Sequence, residues 1–217
     1  MSDNRDWGKE DKQDKSYSGS LPRKQKGAWI DAAEYLMARN LPELLACENG
    51  WYVSQEAGDN YQRIVIPATS SAPENHYWQA RDITGHASIR YQSPAGVKRG
   101  DAVVVVWPEN GRVHGAAIVE GPMDALAAAG ARFLGIAMMG THPAHESLLL
   151  TSKLIGGILP VTVLADKDAM AAMVNNVLMP LLEISKGIIR LASPDPYKDL
   201  AEAPPSERRR LIDPTCS

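Results

Sequence analysis

The chain has 217 residues, 44% of them hydrophobic, and a formal net charge of −3 at pH 7, enough for one large domain or two small ones sharing a core. It has no apolar run near the roughly 20 residues that span a bilayer, and its opening MSDNRDWGKEDKQDKSYSGS is too polar for a secretory leader, so a cytoplasmic protein with no membrane contact is expected. Cys47 and Cys216 lie far apart and outside any CxxC pair, which excludes a disulfide framework and a zinc ribbon; the slight acidity neither requires nor forbids a nucleic-acid partner, because a carboxylate-rich site leaves the remaining surface more basic than the sum.

Residues 1–26 are rich in Asp, Lys, Ser and Gly, with hardly any aliphatic side chains. Such a segment buries too little apolar surface to offset its ordering entropy, and a disordered tail is expected. In AWIDAAEYLMARNLPELLA, Trp29, Ala32, Ala33, Leu36 and Met37 recur at helical spacing. GWYVSQEAGDNYQRIVIPATSS and HYWQARDITGHASIRYQS then read as short strands, rich in β-branched and aromatic residues and broken by Gly, Asn and Pro. Residues 27–100 are therefore expected to form a small α+β unit with an antiparallel sheet. Tyr77, Trp78 and Tyr91 are read as its core aromatics rather than as base-stacking platforms.

The texture changes near residue 101. AVVVVW is a continuous apolar run, GRVHGAAIVE a second strand, and GPMDALAAAGA a turn entering a helix. LGIAMMG, the helix HESLLLTSKLI, the strand in LPVTVLADKD, the helix AAMVNNVLMPLLEIS and the strand in GIIRLASP follow. Short apolar strands alternating with helices indicate an α/β unit with a largely parallel sheet, here over residues 101–203. The end, EAPPSERRRLIDPTCS, is polar and is expected to fray over residues 204–217, with Arg208, Arg209 and Arg210 on a solvated helix end.

In parallel α/β sheets functional groups gather beyond the C-terminal ends of the strands. AAIVE ends in Glu120, VTVLAD ends in Asp166 with Asp168 two residues on, and IIRLASPDPYKD leads to Asp195 and Asp199. Asp124, four residues after Glu120, falls in a first helical turn, where the helix dipole favours a carboxylate. Singly each acid has an ordinary structural explanation. Converging on one edge, they would repel one another and raise each other's pKa, a penalty that a divalent cation removes. Oxygen ligands without Cys or His select Mg²⁺ or Mn²⁺ rather than zinc, and such ions serve phosphoryl or nucleotidyl transfer. No GxxxxGK[ST] segment is present, so a P-loop ATPase is not expected. His142 and His145 lack a third zinc ligand and read as cap and surface residues. Arg63, Arg81, Arg90, Lys98 and Arg99 lie on or beside the strands of the first unit, where they can grip phosphates without reading sequence.

IVEGPMDALAA resembles the first motif of the TOPRIM family, an apolar strand, Glu-Gly, and an Asp four residues after the Glu; VTVLADKDAMAA resembles the second, an apolar strand ending in Asp-x-Asp. A glycine often stands three residues after the second Asp in the family, and this chain has Ala171 there. PDPYKDLAE resembles the Lys-Asp segment of bacterial and phage primases, AAEYLMARNLPELL their helix with an Arg-Gly-Leu turn, here with Asn40 for Gly, and YQRIVIPA with YWQARDITGHASIRYQSPAG the basic half of their polymerase core. Together these segments cover roughly residues 28–203. The resemblance implies a DNA primase catalytic core that makes short RNA primers from ribonucleoside triphosphates on single-stranded DNA. It implies that Glu120 is catalytic or a metal ligand, that Asp166 and Asp168 hold about two ions, and that Asp199 and Asp124 belong to the same site. It further implies that Arg81 and Arg90, with Lys198, contact nucleotide or template. The zinc ribbon and helicase-contacting part usual in such primases are not expected here, pointing to a minimal enzyme from a phage or mobile element, or a split one, that works with a helicase or a separate template-recognition subunit. A TOPRIM nuclease and a non-catalytic replication adaptor are the rival readings.

Overall fold

The structure, a computed structural model, describes residues 21–25, 27–56, 62–70, 77–94, 102–158, 160–185 and 187–215. Helix α1 (Trp29–Met37) buries Ala32 and Leu36 and stops where Asn40 takes a left-handed φ of 54°. The backbone closes there through Asn40 N–H to Met37 C=O at 2.8 Å and Leu41 N–H to Leu36 C=O at 2.9 Å. Asparagine is among the few residues other than glycine that enter this region readily. Pro42 then starts α2 (Glu43–Glu48), so the single helical stretch read from the sequence is two helices about a tight turn.

Strands β1 (Tyr52–Ser54), β2 (Arg63–Pro67), β4 (Trp78–Asp82) and β5 (Tyr91–Gln92) form an antiparallel sheet in the order β1-β2-β4-β5. The short β3 (Thr69–Ser70) leaves it and pairs with β6 (Ala102–Val106) of the second sheet. That sheet has six strands in the order β10-β9-β7-β8-β6-β3, counting β7 (Ala116–Val119), β8 (Leu134–Ala137), β9 (Val161–Leu164) and β10 (Ile189–Ala192). Strands β10, β9, β7 and β8 run parallel and β6 antiparallel to β8.

Alternation along the central strands builds two cores. Ala117, Val119 and Leu164 face one side, with α3 (Pro122–Gly130) and the first sheet, while Ala116, Ile118, Val161 and Val163 face the other. That second side is covered by α4 (His145–Leu154) and by a continuous helical run, α5 (Met170–Met173), a π-turn over Val174–Leu178, and α6 (Met179–Ile184). Because one cluster holds Leu36, Trp51, Ile64 and Tyr77 together with Val104, Val119 and Leu126, the two sheets share a core. Among the described residues no helix is long and apolar enough to cross a membrane.

Two terminal expectations are corrected. Residues 21–25 lie against β1, through Gln25 N–H to Val53 C=O at 2.8 Å and the Tyr52 hydroxyl to Pro22 C=O at 2.7 Å; the rest of the expected tail falls outside the described residues, as does Cys216. The polar end does not fray where α7 (Pro205–Ile212) forms. Arg208, Leu211 and Ile212 are buried, because the helix packs its apolar side on α3 and spends Arg208 on backbone carbonyls. The one-letter pattern of ERRR hides a buried arginine.

Helix α3 approaches the sheet closely because its buried face is alanine and because β8 opposite carries Gly135. A Cβ there would stand 2.1 Å from Ala125 O and 2.8 Å from its Cα, which are backbone atoms that cannot swing aside. Gly135→Ala is expected to cost about 3 kcal/mol by overpacking, measured by urea denaturation; a loss under about 1 kcal/mol would mean that the contact relaxes freely.

Candidate active site

The parallel register sets Ile118 of β7 beside Val163 of β9, and Leu164 of β9 beside Ala192 of β10. The residues that follow these strands therefore emerge side by side at one edge of the sheet. Glu120, Asp124, Asp166, Asp168 and Asp199 all line one cleft of about 780 Å³ there, joined by Glu202. Asp168 and Glu202 are exposed, and Glu120, Asp166 and Asp199 half-buried.

Asp124 sits differently. It is 8% exposed, and its Oδ1 accepts the Ala201 N–H at 2.9 Å. Gly121 caps α3 on the near side, where a Cβ would lie only 3.2 Å from Asp124 Oδ2; this close approach accounts for glycine after Glu120. Burial, and then the charges of Asp199, Asp166 and Glu120, push the Asp124 carboxyl up to about 8. Burial and the repulsion of Asp199, Glu120 and Asp168 likewise raise Asp166 to about 7, with Lys198 opposing. The carboxylates are thus mutually destabilising as ions, as expected of acids crowded on one edge.

The facing wall is basic and aromatic: Arg39, Arg81, Arg90 and Tyr91 line the same cleft, with Lys198 beside Asp199. Arg81 is 8% exposed and its Nε donates to the Tyr35 hydroxyl at 2.8 Å. Its guanidinium carbon lies 4.9 Å from the Tyr91 ring centre and 5.9 Å from that of Tyr35, while Arg39 stacks on Tyr35 at 4.7 Å. Tyr35 therefore holds two like-charged guanidinium groups near each other, each drawn to the ring's negative face. Burial pushes the Tyr91 phenol up to about 12.

Of the basic residues read from sequence, Arg81, Arg90 and Lys198 reach the cleft. Arg63 does not: it is fully buried, and its guanidinium donates to Ala80 C=O at 3.2 Å, Ile89 C=O at 3.0 Å and Arg90 C=O at 3.4 Å. Its planar set of donors matches three strand-end carbonyls, so it braces the segment carrying Arg90 from beneath and cannot meet a phosphate. Lys98 and Arg99 lie outside the described residues. Asp195 is exposed and pairs loosely with Lys167 at 3.9 Å, away from the lining. His142 and His145 are exposed, and a Thr141 hydroxyl meets His142 Nδ1 at 3.0 Å. Ala171 points to solvent near the start of α5, so its methyl replaces the family glycine without a clash. Tyr77 and Trp78 are core residues, whereas Tyr91, also read as core, is half-buried in the cleft wall.

Sequence reading missed Tyr35, Arg39, Glu202 and Arg208. The signal for Arg39 was present in the Arg-Asn-Leu turn, whose arginine the left-handed Asn40 places at the cleft; nothing local marks Tyr35 or Arg208.

The donor set is oxygen-only and acidic, and the raised Asp124 and Asp166 carboxyls are what a hard divalent cation would relieve. Among the described residues no three His, Cys, Asp or Glu stand in a ready-made cluster for an ion.

No family model and no curated protein sequence matches the chain. Solved structures do. The RNA polymerase domain of Mycobacterium tuberculosis primase DnaG aligns with 84% of this chain and 75% of its own at 17% identity and a TM-score of 0.56. The primase fragment of the bacteriophage T7 primase-helicase protein aligns over 81% and 71% at 15% identity and a TM-score of 0.55. A DnaG primase catalytic domain solved bound to single-stranded DNA aligns over 82% and 68% at 14% identity and a TM-score of 0.57. At these identities the likeness is one of fold: the chain has the α/β fold of primase catalytic domains.

A titration separates this electrostatic account from chance crowding. Asp124 and Asp166 bind a proton more tightly folded, near pH 8 and 7, than unfolded, near about 3.9. Their contribution to stability is complete below about pH 4 and is lost as the pH rises through these folded values. In chelator the melting temperature is therefore expected to fall between pH 5 and 8 and to fall less steeply in Asp166→Asn. Identical slopes for the two proteins would contradict the account.

Proposed function

We propose that this chain is the catalytic core of a DNA primase, with a TOPRIM-type acidic edge, which makes short RNA primers on single-stranded DNA by nucleotidyl transfer. The observation that carries the proposal is the cleft itself. Acids delivered by three parallel strand ends face Arg39, Arg81 and Arg90 across one groove, in a fold shared with primase polymerase domains.

The basic wall binds phosphates. Arg81, oriented by the Tyr35 hydroxyl and two ring faces, and the neighbouring Arg39 and Arg90 take the template backbone and the incoming triphosphate, contacts that position a strand without reading its bases. Glu120, first beyond β7, stands nearest the reacting 3′-hydroxyl and accepts its proton. The 3′-oxygen then bonds to the α-phosphorus as the bond to the β-phosphate breaks and pyrophosphate leaves, with Lys198 beside the departing charge. Asp166, Asp168 and Asp199 would hold one or two magnesium or manganese ions, which would supply charge neutralisation and acidify a hydroxyl. Asp124, expected as a further ligand, also has a structural part to play. Its burial and its bond to Ala201 support a positioning function that holds the Asp199 segment against α3.

Two of the similar proteins extend the proposal to partners. One is solved bound to single-stranded DNA and another is a fragment of a primase-helicase, which supports a single-stranded template and a helicase-associated setting for this chain. The same acids would also serve a nuclease. The basic wall built on the first sheet favours synthesis, because it supplies a second set of phosphate contacts opposite the acids.

The test is incubation with a single-stranded template, labelled ribonucleotides and Mg²⁺ or Mn²⁺. Short template-dependent products are expected, and Glu120→Gln or Asp166→Asn should reduce them roughly 100-fold or more, the scale on which preorganised electrostatic groups act, without changing the circular dichroism spectrum. Wild-type-like synthesis by either variant would refute the site. Shortening of labelled DNA with no nucleotide present would instead establish the nuclease.

A further inference from the structure

Arg208 lies on α7, outside every motif that the cleft absorbs, and is 2% exposed. Its donors diverge to three carbonyls. Nε reaches Ala203 C=O at 2.9 Å, Nη2 reaches Ala201 C=O at 3.1 Å, and Nη1 reaches Asn40 C=O at 2.9 Å, across 168 residues of sequence. Asn40 ends the turn that carries Arg39 on the basic wall, and Ala201 follows Asp199 on the acidic one. Ala201 is held through both of its backbone groups, because its N–H also donates to Asp124 Oδ1 at 2.9 Å. Asp199 closes the same turn by accepting the Glu202 N–H at 2.9 Å. A continuous chain of hydrogen bonds thus runs from the basic turn through one guanidinium to the acidic segment and on to α3, four residues beyond Glu120. Burial lowers the Arg208 pKa and the nearby Asp124 charge opposes this, in keeping with a cation set beneath an acidic floor.

We propose that Arg208 is a positioning residue that fixes the basic and acidic walls of the cleft in register. This rests on the reading of the cleft as the active site. A guanidinium is suited to the task because it is planar and presents several donors in fixed directions; a lysine ammonium is a single point that cannot span three carbonyls set around a plane. The Asn40 turn and the Ala201 segment are far apart in the sequence, and Arg208 hydrogen-bonds both of them directly. Loss of the clasp leaves each wall intact but lets the distance between them drift. Phosphates bound on one side then miss the carboxylates on the other, and a misplacement of about 1 Å costs on the order of 100-fold in rate.

The experiment compares wild type, Arg208→Lys and Arg208→Met with Leu148→Ala, a destabilised control whose lesion lies in the core on the far side of the second sheet, in the full chain. Amide hydrogen exchange is followed under conditions where local opening dominates. In Arg208→Lys, which keeps the charge if the Met variant fails to fold, residues 39–41 and 199–203 are expected to lose protection together while β7 and β9 keep theirs; Leu148→Ala should not open this pair. Primer synthesis by Arg208→Lys is expected to lose roughly 10- to 100-fold in kcat with the nucleotide KM within about threefold, since each wall still binds its own partner. Opening of one segment alone, opening of neither, or a wild-type kcat would overturn the proposal. A wild type that makes no primers would sink the primase reading instead, and the exchange pattern would then decide for or against the clasp by itself.

Discussion

Carboxylates that repel one another are held within one cleft, and most of the surrounding architecture answers that constraint. Glu120, Asp166, Asp168 and Asp199 come from three strand ends, and Asp124 lies beneath them with its carboxyl pushed up to about 8. Parallel strands deliver their last residues to a single edge, so the fold itself creates the crowding. Left alone, the crowding would destabilise the chain as the acids ionise. It persists because positive charge is arranged around it: Lys198 within the acidic segment, Arg39 and Arg81 across the groove, and Arg208 underneath.

The supporting elements follow from the same demand. Gly121 lets Asp124 fold back beneath the edge, and Gly135 lets the alanine face of α3 sit against β8, so that the helix whose first turn carries Asp124 has little freedom to shift. The antiparallel sheet contributes the opposite wall. There Arg63, wholly buried, is used to brace the Arg90 segment, while Tyr35 and Tyr91 keep Arg81 and Arg39 stacked. A shared apolar cluster joins the two sheets, so that opposite charges from different parts of the chain line one groove.

How much of this is readable from sequence depends on whether a residue's role is local. The acids were legible because an apolar run followed by Glu or Asp marks a strand end, and strand ends share an edge; their order along the chain carried the rest. Asn40 was legible as the stand-in for a turn glycine, and its φ of 54° gives the reason. Arg63 was misread because arginine on a short strand looks like a surface charge, and only the register of β2 against β4 turns it inward. Arg208 was misread for the same reason within ERRR: three arginines look alike until a neighbouring helix decides which one is covered. Tyr91 was legible as a side chain packed on the core, but its second face on the cleft was not, because that face depends on the groove between two units. Roles set by contacts between distant segments leave no local periodicity to find, and the residues that join the two walls are of this kind.

The central claim is that these acids share a hard cation, and the most direct measurement is the anomalous scattering of manganese in crystals soaked with Mn²⁺ and a ribonucleoside triphosphate. The account requires manganese density bounded by Asp166, Asp168 and Glu120 or Asp199, with the triphosphate bridging to Arg81. Manganese found elsewhere on the surface, or a triphosphate bound with no ion at that edge, would contradict it.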